Sequence, residues 1–192
     1  MARVSLQAVI ETERLVLRVA GPRDVRALGE ALARNERHLD PWTPLGQNTP
    51  AARTPGVLAR RISDARRTWR EDRGYALVVV PRGAEGRIVG RVALNAIVRG
   101  AFHNAYLGYW MDTELCGRGL MTEAVRAAVG WAFAEVGLHR VQAAVMPRNA
   151  ASLRVLEKLG FRREGLAERY LQIAGRWEDH VLFAVTREEW PR

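Results

Sequence analysis

Apolar residues alternate with polar ones in some segments of the chain and recur with a helical period in others. Alternation over residues 14–20 predicts a half-buried strand, and the apolar run at residues 75–80 predicts a buried one. Further strands are predicted at residues 87–98, 104–111, 140–145, 162–173 and 177–185. Helical periodicity predicts a helix that begins at Pro22 and three more at residues 55–72, 119–136 and 149–159.

The order of these elements is β-α-α-β-β-β-α-β-α-β-β. Strands and helices alternate, but runs of hairpin-joined strands intervene, which predicts an α/β (α+β) fold with a mixed sheet and not a doubly wound one. Gly160 is predicted to end the last helix, and Ala174-Gly175 is predicted to be the turn between the last two strands. Four prolines predict an irregular segment after the first helix: Pro41, Pro44, Pro50 and Pro55.

Length and composition narrow the class of protein. A chain of 192 residues is typical of one domain, and 48% apolar with 27% charged residues is ordinary for a globular protein. Cys116 is the only cysteine, which excludes an intrachain disulfide. No apolar stretch approaches the roughly 18 residues of a membrane span, and the N-terminal segment lacks the apolar core of a secretory signal. We therefore expect a cytoplasmic protein with no membrane contact.

The net charge is the unusual feature of the composition. Lys and Arg number 30 against 21 Asp and Glu, so the formal charge is +9, and Lys158 is the only lysine. A GC-rich genome would explain the ratio of Arg to Lys, but it does not explain the excess over acids. That excess favours an acidic partner, such as a nucleic acid, a nucleotide cofactor or a membrane surface.

A strand, a glycine loop and the longest helix follow one another at residues 107–124. Gly117 and Gly119 allow a ligand to approach the backbone, and the first turn of the helix offers free N–H groups, as in a pyrophosphate site. A plain helix-start turn is the alternative. The Rossmann and Walker patterns are absent, since neither a third glycine at that spacing nor a G-K-[ST] follows. Asn149 is a good helix N-cap, with Ser152 one turn further on, although a merely capped helix also fits.

These two segments together resemble the acyl-CoA N-acetyltransferases of the GNAT superfamily, and most closely the ribosomal-protein alanine N-acetyltransferases of the RimJ/RimL type. The resemblance covers about residues 13–190. It implies a single GNAT domain over residues 1–192, with a mostly antiparallel central sheet flanked by about four helices. It rests on ERL at 13–15, LDPW at 39–42, YLGYW at 106–110, GRGLMTEA at 117–124, LHRV at 138–141, KLGF at 158–161 and WEDH at 177–180.

The resemblance implies acetyl-CoA as the acetyl donor and no metal. A bulged strand would pair with the pantetheine arm and direct a backbone N–H at the thioester oxygen, and loop amides would hold the pyrophosphate. Glu114 departs from the family pattern, which often has Gln or Arg there. The implied acetyl-CoA residues are Trp110, Met111, Cys116, Gly117, Arg118, Gly119, Leu120, Met121, Thr122, Asn149, Ser152 and Arg154.

The catalytic residues depart further from the family. Many members have a tyrosine where Leu156 stands, so Ser152 is implied as the donor of a proton to the leaving thiolate. Tyr106 stands where an acidic base is common, and no strong base is evident. Because an α-amine has a pKa near 7.7–8.0 against about 10.4 for lysine, such a site favours an N-terminal α-amine. A water molecule beside Tyr106, His103 or Glu168 would then suffice as the base.

Three further residue types were considered for the site. Trp42 follows a proline in the irregular segment, where an aromatic ring either frames a substrate pocket or simply packs. The thiol of Cys116 is expected to have a lowered pKa at the start of a helix, but no histidine or acid is placed beside it in sequence. Four histidines are scattered without the spacing of metal ligands, and the last two are expected to be structural: His38, His103, His139 and His180.

The sequence therefore predicts acetyl transfer from acetyl-CoA to the N-terminal α-amine of a protein such as a ribosomal protein. The alternatives are a small-molecule N-acetyltransferase and a non-catalytic module that binds CoA or nucleic acid. The segment Arg53–Arg73 contains seven arginines and three acids, a net +4. It is predicted to meet an acidic or RNA-rich surface, such as the ribosome. The closing strands permit a homodimer.

Overall fold

Eight strands form one sheet in the computed structural model, which describes residues 4–191. The order across the sheet is β1-β2-β3-β4-β5-β6-β8-β7, and only the β5–β6 pair is parallel. This confirms the predicted mixed, mostly antiparallel sheet. The strands are β1 (Val9–Glu11), β2 (Leu15–Val19), β3 (Tyr75–Pro81), β4 (Gly90–Val98), β5 (Asn104–Met111), β6 (Arg140–Val145), β7 (Arg162–Ile173) and β8 (Arg176–Thr186).

Helices cover both faces of the sheet. The described residues contain five α-helices, none of them long and apolar enough to cross a membrane: α1 (Val25–Arg34), α2 (Glu36–Leu39), α3 (Pro55–Arg70), α4 (Leu120–Ala134) and α5 (Ala150–Lys158). The expectation of about four helices omits α2, a single turn in the segment predicted to be irregular. The edge strand β1 was also not predicted, because three residues are too few to show a period.

The core lies in two layers. Val125, Ala128 and Val129 of α4 are fully buried against the inward residues of the central strands. On the opposite face, Ala31 of α1 packs against Val78 of β3 and its neighbours. The sheet therefore separates an α4 side from an α1–α3 side, and any ligand that passes between strands connects the two.

A gap opens in the sheet between β5 and β6. The two parallel strands pair only from Asn104 to Tyr106, and β5 then continues to Met111 without a partner on that side. The N–H of Asp112 donates to the carbonyl of Val89, on the β4 side. Because backbone groups alternate along a strand, the N–H of Trp110 also faces β4, whereas that of Met111 faces the gap.

The backbone irregularity lies in a different strand from the one the resemblance implied. The register of β4 and β5 is regular from Gly90–Met111 to Asn95–Tyr106, so no bulge occurs at Trp110 or Met111. The register shifts instead between Asn95 and Val98 of β4, where Ala96 has a φ of 48°. The expected bulge in β5 is therefore wrong, and the divergence of β5 from β6 exposes the backbone without it.

A buried carboxylate fixes the end of β5 to α1. Asp112 is fully buried and accepts hydrogen bonds from Arg34, with Nη2 at 2.5 Å and Nε at 2.8 Å. The N–H of Glu114 also donates to Asp112, and that of Thr113 donates to Asn35. Burial tends to raise the pKa of Asp112, but the bonds from Arg34 and Glu114 hold it below its ordinary value.

Candidate active site

The first cavity, about 270 Å³, lies between the free side of β5, the loop before α4, and α5. Every residue implied for acetyl-CoA lines it except Arg118, whose side chain is exposed. The lining also contains Ala151, Val155 and Lys158, which share a face of α5 with Arg154. That helical spacing is a signal in the sequence from which these three could have been found.

The loop before α4 leaves its amides available. Gly117 and Gly119 have φ angles of 77° and 78°, in the left-handed region that favours glycine. α4 begins at Leu120, and its N-cap Gly119 makes no side-chain capping bond. The N–H groups of the first turn therefore point toward the loop without a protein acceptor from the cap, and a phosphate group fits them.

Arg14 ties this loop to the edge of the sheet. Its guanidinium lies 2.6 Å from the Glu123 carboxylate and donates to the carbonyl of Arg118 at 3.1 Å. Thr12 Oγ1 also donates to Glu123, at 2.6 Å. Burial tends to raise the pKa of Glu123, and the bonds from Thr12 and Arg14 lower it below the usual range. The acid on the first turn is thus neutralised, which leaves the helix N-terminus attractive to an anion.

Replacing Arg14 with methionine is expected to raise KM for acetyl-CoA about threefold to tenfold and to leave kcat unchanged. The physical reason is that the half-exposed ion pair orders the loop and cancels the charge of Glu123, each a modest effect. Steady-state kinetics with varied acetyl-CoA measures this. Arg26→Met, which breaks the exposed pair with Glu30 on α1, is the matched control. An unchanged KM in Arg14→Met would mean that the loop keeps its shape unaided.

The start of α5 presents one free hydroxyl to the first cavity. Asn149 Oδ1 accepts from the N–H of Ser152 at 3.2 Å, and Tyr109 Oη donates to the Ser152 carbonyl at 3.0 Å. Ser152 Oγ lies beside the Tyr109 hydroxyl and forms no other hydrogen bond among residues 4–191. Leu156, where many family members have tyrosine, is fully buried in the core. The hydroxyl of Ser152 is therefore available to a ligand.

Tyr109 is a lining residue that sequence reasoning missed. Its ring crosses from β5 to α5, and burial raises the pKa of its hydroxyl above the ordinary value. The alternation that places Leu107 and Met111 on the α4 side also places Tyr109 there, so the signal was present. Tyr109 fixes the position of Ser152 relative to β5.

The second cavity, about 550 Å³, lies on the α1–α3 side of the sheet. Leu39, Thr43 and Trp110 line both cavities, so the two meet at the end of β5. The tip of the β7–β8 hairpin covers this junction, since the N–H of Ala174 donates to the carbonyl of Thr43 at 3.0 Å. One molecule in each cavity would thus come into contact at Trp110.

Trp42 lies in the lining of the first cavity, beside this junction. The Arg148 guanidinium lies over its ring, 5.6 Å from the centroid, and pairs with Glu178 of β8 at 2.6 Å. The ring is therefore covered on one face by a cation that an ion pair holds in place.

The other residues proposed for the acceptor lie outside both cavities. Tyr106 is on the same face of β5 as Trp110 but four residues earlier, about 13 Å along the strand. The carbonyl of His103 accepts the N–H groups of His139 and Arg140 in a turn. Glu168 is exposed on β7. Tyr106, His103 and Glu168 are thus not among the residues that line the junction at Trp110.

The surroundings of Cys116 differ from expectation. His38 Nε2 lies 3.9 Å from its sulfur, although 78 positions separate the two in sequence. Burial raises the pKa of the thiol and the nearby Asp112 raises it further, so the expected lowering is wrong. The raised pKa disfavours a thiolate nucleophile.

The remaining histidines have structural contacts. His180 is buried with Nδ1 2.9 Å from the Glu178 carbonyl, and His139 pairs with Glu188 at the surface. Within residues 4–191, no cluster of three His, Cys, Asp or Glu side chains could hold a metal.

Comparison with known proteins assigns the family. The family model "Acetyltransferase (GNAT) domain" matches residues 14–162. The chain belongs to the GNAT acetyltransferase family. It is 34% identical over 181 residues to the [Ribosomal protein uS5]-alanine N-acetyltransferase of Escherichia coli (strain K12), covering 94% of this chain and 92% of the relative.

Two solved structures are also similar to this GNAT chain. The ribosomal-protein-S5-alanine acetyltransferase of Vibrio fischeri has a TM-score of 0.87 at 34% identity and covers 96% of this chain and 100% of that one. RimJ of Mycobacterium smegmatis, solved in complex with CoA-disulfide, has a TM-score of 0.89 at 30% identity, with coverages of 97% and 90%. The GNAT fold and an acetyl-CoA-dependent N-acetyltransferase activity, both implied by the resemblance, are thereby confirmed.

Proposed function

We propose that this GNAT enzyme transfers the acetyl group of acetyl-CoA to the N-terminal α-amine of a cytoplasmic protein, such as a ribosomal protein. One observation carries the proposal. Among the described residues, Asp64 is the only carboxylate in the lining of either cavity, and Arg67 pairs with it at 2.7 Å. A site without a free carboxylate base suits an amine that is already partly neutral, and relatives named for ribosomal-protein alanine support the same class.

The amine class follows from the pKa values of amines. An α-amine with a pKa near 7.7–8.0 is roughly a tenth neutral at pH 7. A lysine amine, near 10.4, costs about 3.5 kcal/mol more to deprotonate, and among the described residues neither cavity lining has an unpaired carboxylate to take that proton. The second cavity is lined by three arginines, Arg61, Arg73 and Arg91, and their charge favours the neutral form of a bound amine. The same charge disfavours a polyamine or an aminoglycoside.

The residues of the first cavity are assigned to the donor. Acetyl-CoA supplies an activated acetyl carbonyl when bound. The loop amides around Gly117 and Gly119 would hold its phosphates, and the free backbone edge of β5 would pair with its pantetheine arm. The N–H of Met111, which faces the gap, would donate to the carbonyl oxygen as negative charge develops there.

Ser152 would complete the transfer. The amine nitrogen forms a bond to the carbonyl carbon, the carbon–sulfur bond breaks, and a proton from the amine is left over as the sulfur becomes a thiolate. Tyr109 and Asn149 fix the backbone of Ser152 in the first cavity. The Ser152 hydroxyl would donate its proton to the sulfur while the proton from the amine moves to the Ser152 oxygen. We include Trp42 as the ring that closes the junction.

We still propose an acidic partner for the segment Arg53–Arg73, but for fewer of its arginines. Asp64 and Glu71 pair with Arg67 and Arg73, so part of the segment's charge is neutralised. The exposed positions include Arg60 and Arg70, which face away from the sheet. We propose that these two meet an acidic or RNA-rich surface of the target, while Arg61 turns toward the second cavity.

Peptide acetylation tests the proposed function. A peptide with a free N-terminus and one internal lysine, its N-terminally blocked copy, and free amino acids are each offered with acetyl-CoA, and fragment-ion mass spectrometry locates the product. We expect acetylation of the α-amine and at least 100-fold less at lysine. Acetylation confined to lysine or to the free amino acids would overturn the proposal. The matching cellular measurement is loss of acetylated protein N-termini when the enzyme is removed.

A further inference from the structure

One arginine inside the second cavity has no partner. Arg91 is partly buried on β4, and among residues 4–191 no acceptor lies within hydrogen-bond distance of its guanidinium. Burial lowers its pKa from the ordinary value, and the charge of Arg61 lowers it further. An arginine nevertheless stays protonated in proteins, so Arg91 is an uncompensated cation in the wall of a cavity.

The rest of the lining does not neutralise it. Arg61 uses Nη2 to donate to the carbonyl of Gln47 at 2.8 Å, which leaves its charge without a carboxylate. Arg73 already pairs with Glu71, and Asp64 with Arg67. A partly desolvated charge costs free energy unless an opposite charge compensates it. We expect a bound anion to compensate the charge of Arg91.

Register places this cation beside the reacting end of β5. Arg91 is the cross-strand partner of Trp110, and both side chains line the second cavity. Neighbouring strands lie about 4.8 Å apart, and an extended chain advances about 3.3–3.6 Å per residue. A peptide whose amine reaches Trp110 would therefore bring the side chain of its first or second residue to Arg91.

We propose that Arg91, assisted by Arg61, binds the carboxylate of an aspartate or glutamate at the second position of the acceptor. This specificity rests on the proposed function of α-amine acetylation. A guanidinium and a carboxylate match in charge and in planar geometry, and such charge-assisted bonds are short and strong. The carboxylate also offsets the repulsion between the arginines and a protonated amine that enters the cavity.

Two peptides that differ in one group test the subsite. Wild type is compared on a peptide with glutamate at position 2 and on its glutamine copy. We expect kcat/KM to be about 10-fold to 100-fold higher for the glutamate peptide. In Arg91→Met, the kcat/KM values for the two peptides should lie within about threefold of each other. Arg91→Lys should regain part of the preference for the glutamate peptide. Arg26→Met, on the exposed surface of α1, should keep the wild-type ratio.

The readouts separate this inference from the proposed function. Calorimetric titration with CoA and a thermal melt show that each variant is folded and binds in the first cavity. α-Amine acetylation at equal rates on both peptides would overturn the subsite and leave the proposed function standing. If free alanine were acetylated and peptides were not, the proposed function would fail. The subsite for an acidic peptide side chain, which rests on that function, would fail with it.

Discussion

The Ser152→Ala variant is expected to turn over about 100-fold more slowly than wild type, with the Kd for CoA changed less than about threefold. Removing one well-placed hydrogen-bond donor from a developing anion typically costs 100-fold to 1,000-fold in kcat. Among the described residues the Ser152 hydroxyl has only the Tyr109 hydroxyl beside it, and Tyr109 keeps its bond to the Ser152 carbonyl, so the loss of Oγ leaves no new unsatisfied group. The asparagine cap and the bond from Tyr109 go to its backbone and survive the change.

Thr122→Val is the matched control, since it also removes a hydroxyl from the first cavity. Thr122 lies at the start of α4, where a ligand contact affects binding but not the leaving sulfur. The Thr122→Val variant should therefore have a KM for acetyl-CoA that is several-fold higher and a kcat near the wild-type value. If Ser152→Ala kept wild-type kcat, the donor would be another group, and Tyr109 would be the first to examine.

Asp112→Asn is expected to lower the free energy of unfolding by about 2–3 kcal/mol. The change removes the charge that Arg34 neutralises and leaves that guanidinium short of an acceptor. Arg34 is partly exposed, so water limits the loss. Urea denaturation measures it, with Glu30→Gln at the exposed surface as the control, expected to change stability by less than about 0.5 kcal/mol.

The stability that ionised Asp112 contributes should decrease as the pH is lowered. The pKa of Asp112 is lower in the folded state than in the unfolded chain, so its ionised form stabilises the fold. This contribution is fully present above the unfolded pKa near 3.9 and is lost as the pH falls through the folded value. The difference in stability between wild type and Asp112→Asn should thus shrink below about pH 4. A difference that stayed constant down to pH 2 would mean that the pair with Arg34 is not the cause.

The sequence predicted the elements that have a strong period or a clear stop. The helix predicted at residues 119–136 is Leu120–Ala134, and the strand predicted at 75–80 is Tyr75–Pro81. The helix predicted at residues 149–159 is Ala150–Lys158 in the structure, and Gly160 ends it. β1 and α2 were too short to leave a pattern. The strand predicted from residue 87 begins at Gly90, and Ile88 and Val89 just before it are buried in the core.

The candidate site was predictable where local sequence builds it. A glycine loop before a helix and a capped helix start are local features, so the first cavity was found almost completely. The second cavity was not, because strand register and α3 packing assemble it. Nothing in the sequence around Arg91 distinguishes it from the other arginines, and only pairing with Trp110 places it at the junction. Tyr106 and Glu168 failed to reach either cavity for the same reason.

The unpaired edge of β5 would make the amount of folded enzyme depend on the concentration of acetyl-CoA. Five residues of a central strand, from Leu107 to Met111, lack a neighbour on one side, and a pantetheine arm would supply one. A ligand present at 100 times its Kd stabilises the folded state by about 2.7 kcal/mol. Cells rich in acetyl-CoA would thus keep more of this protein folded and protected from proteolysis than starved cells do. Acetyl-CoA would thus both donate the acetyl group and stabilise the enzyme that uses it.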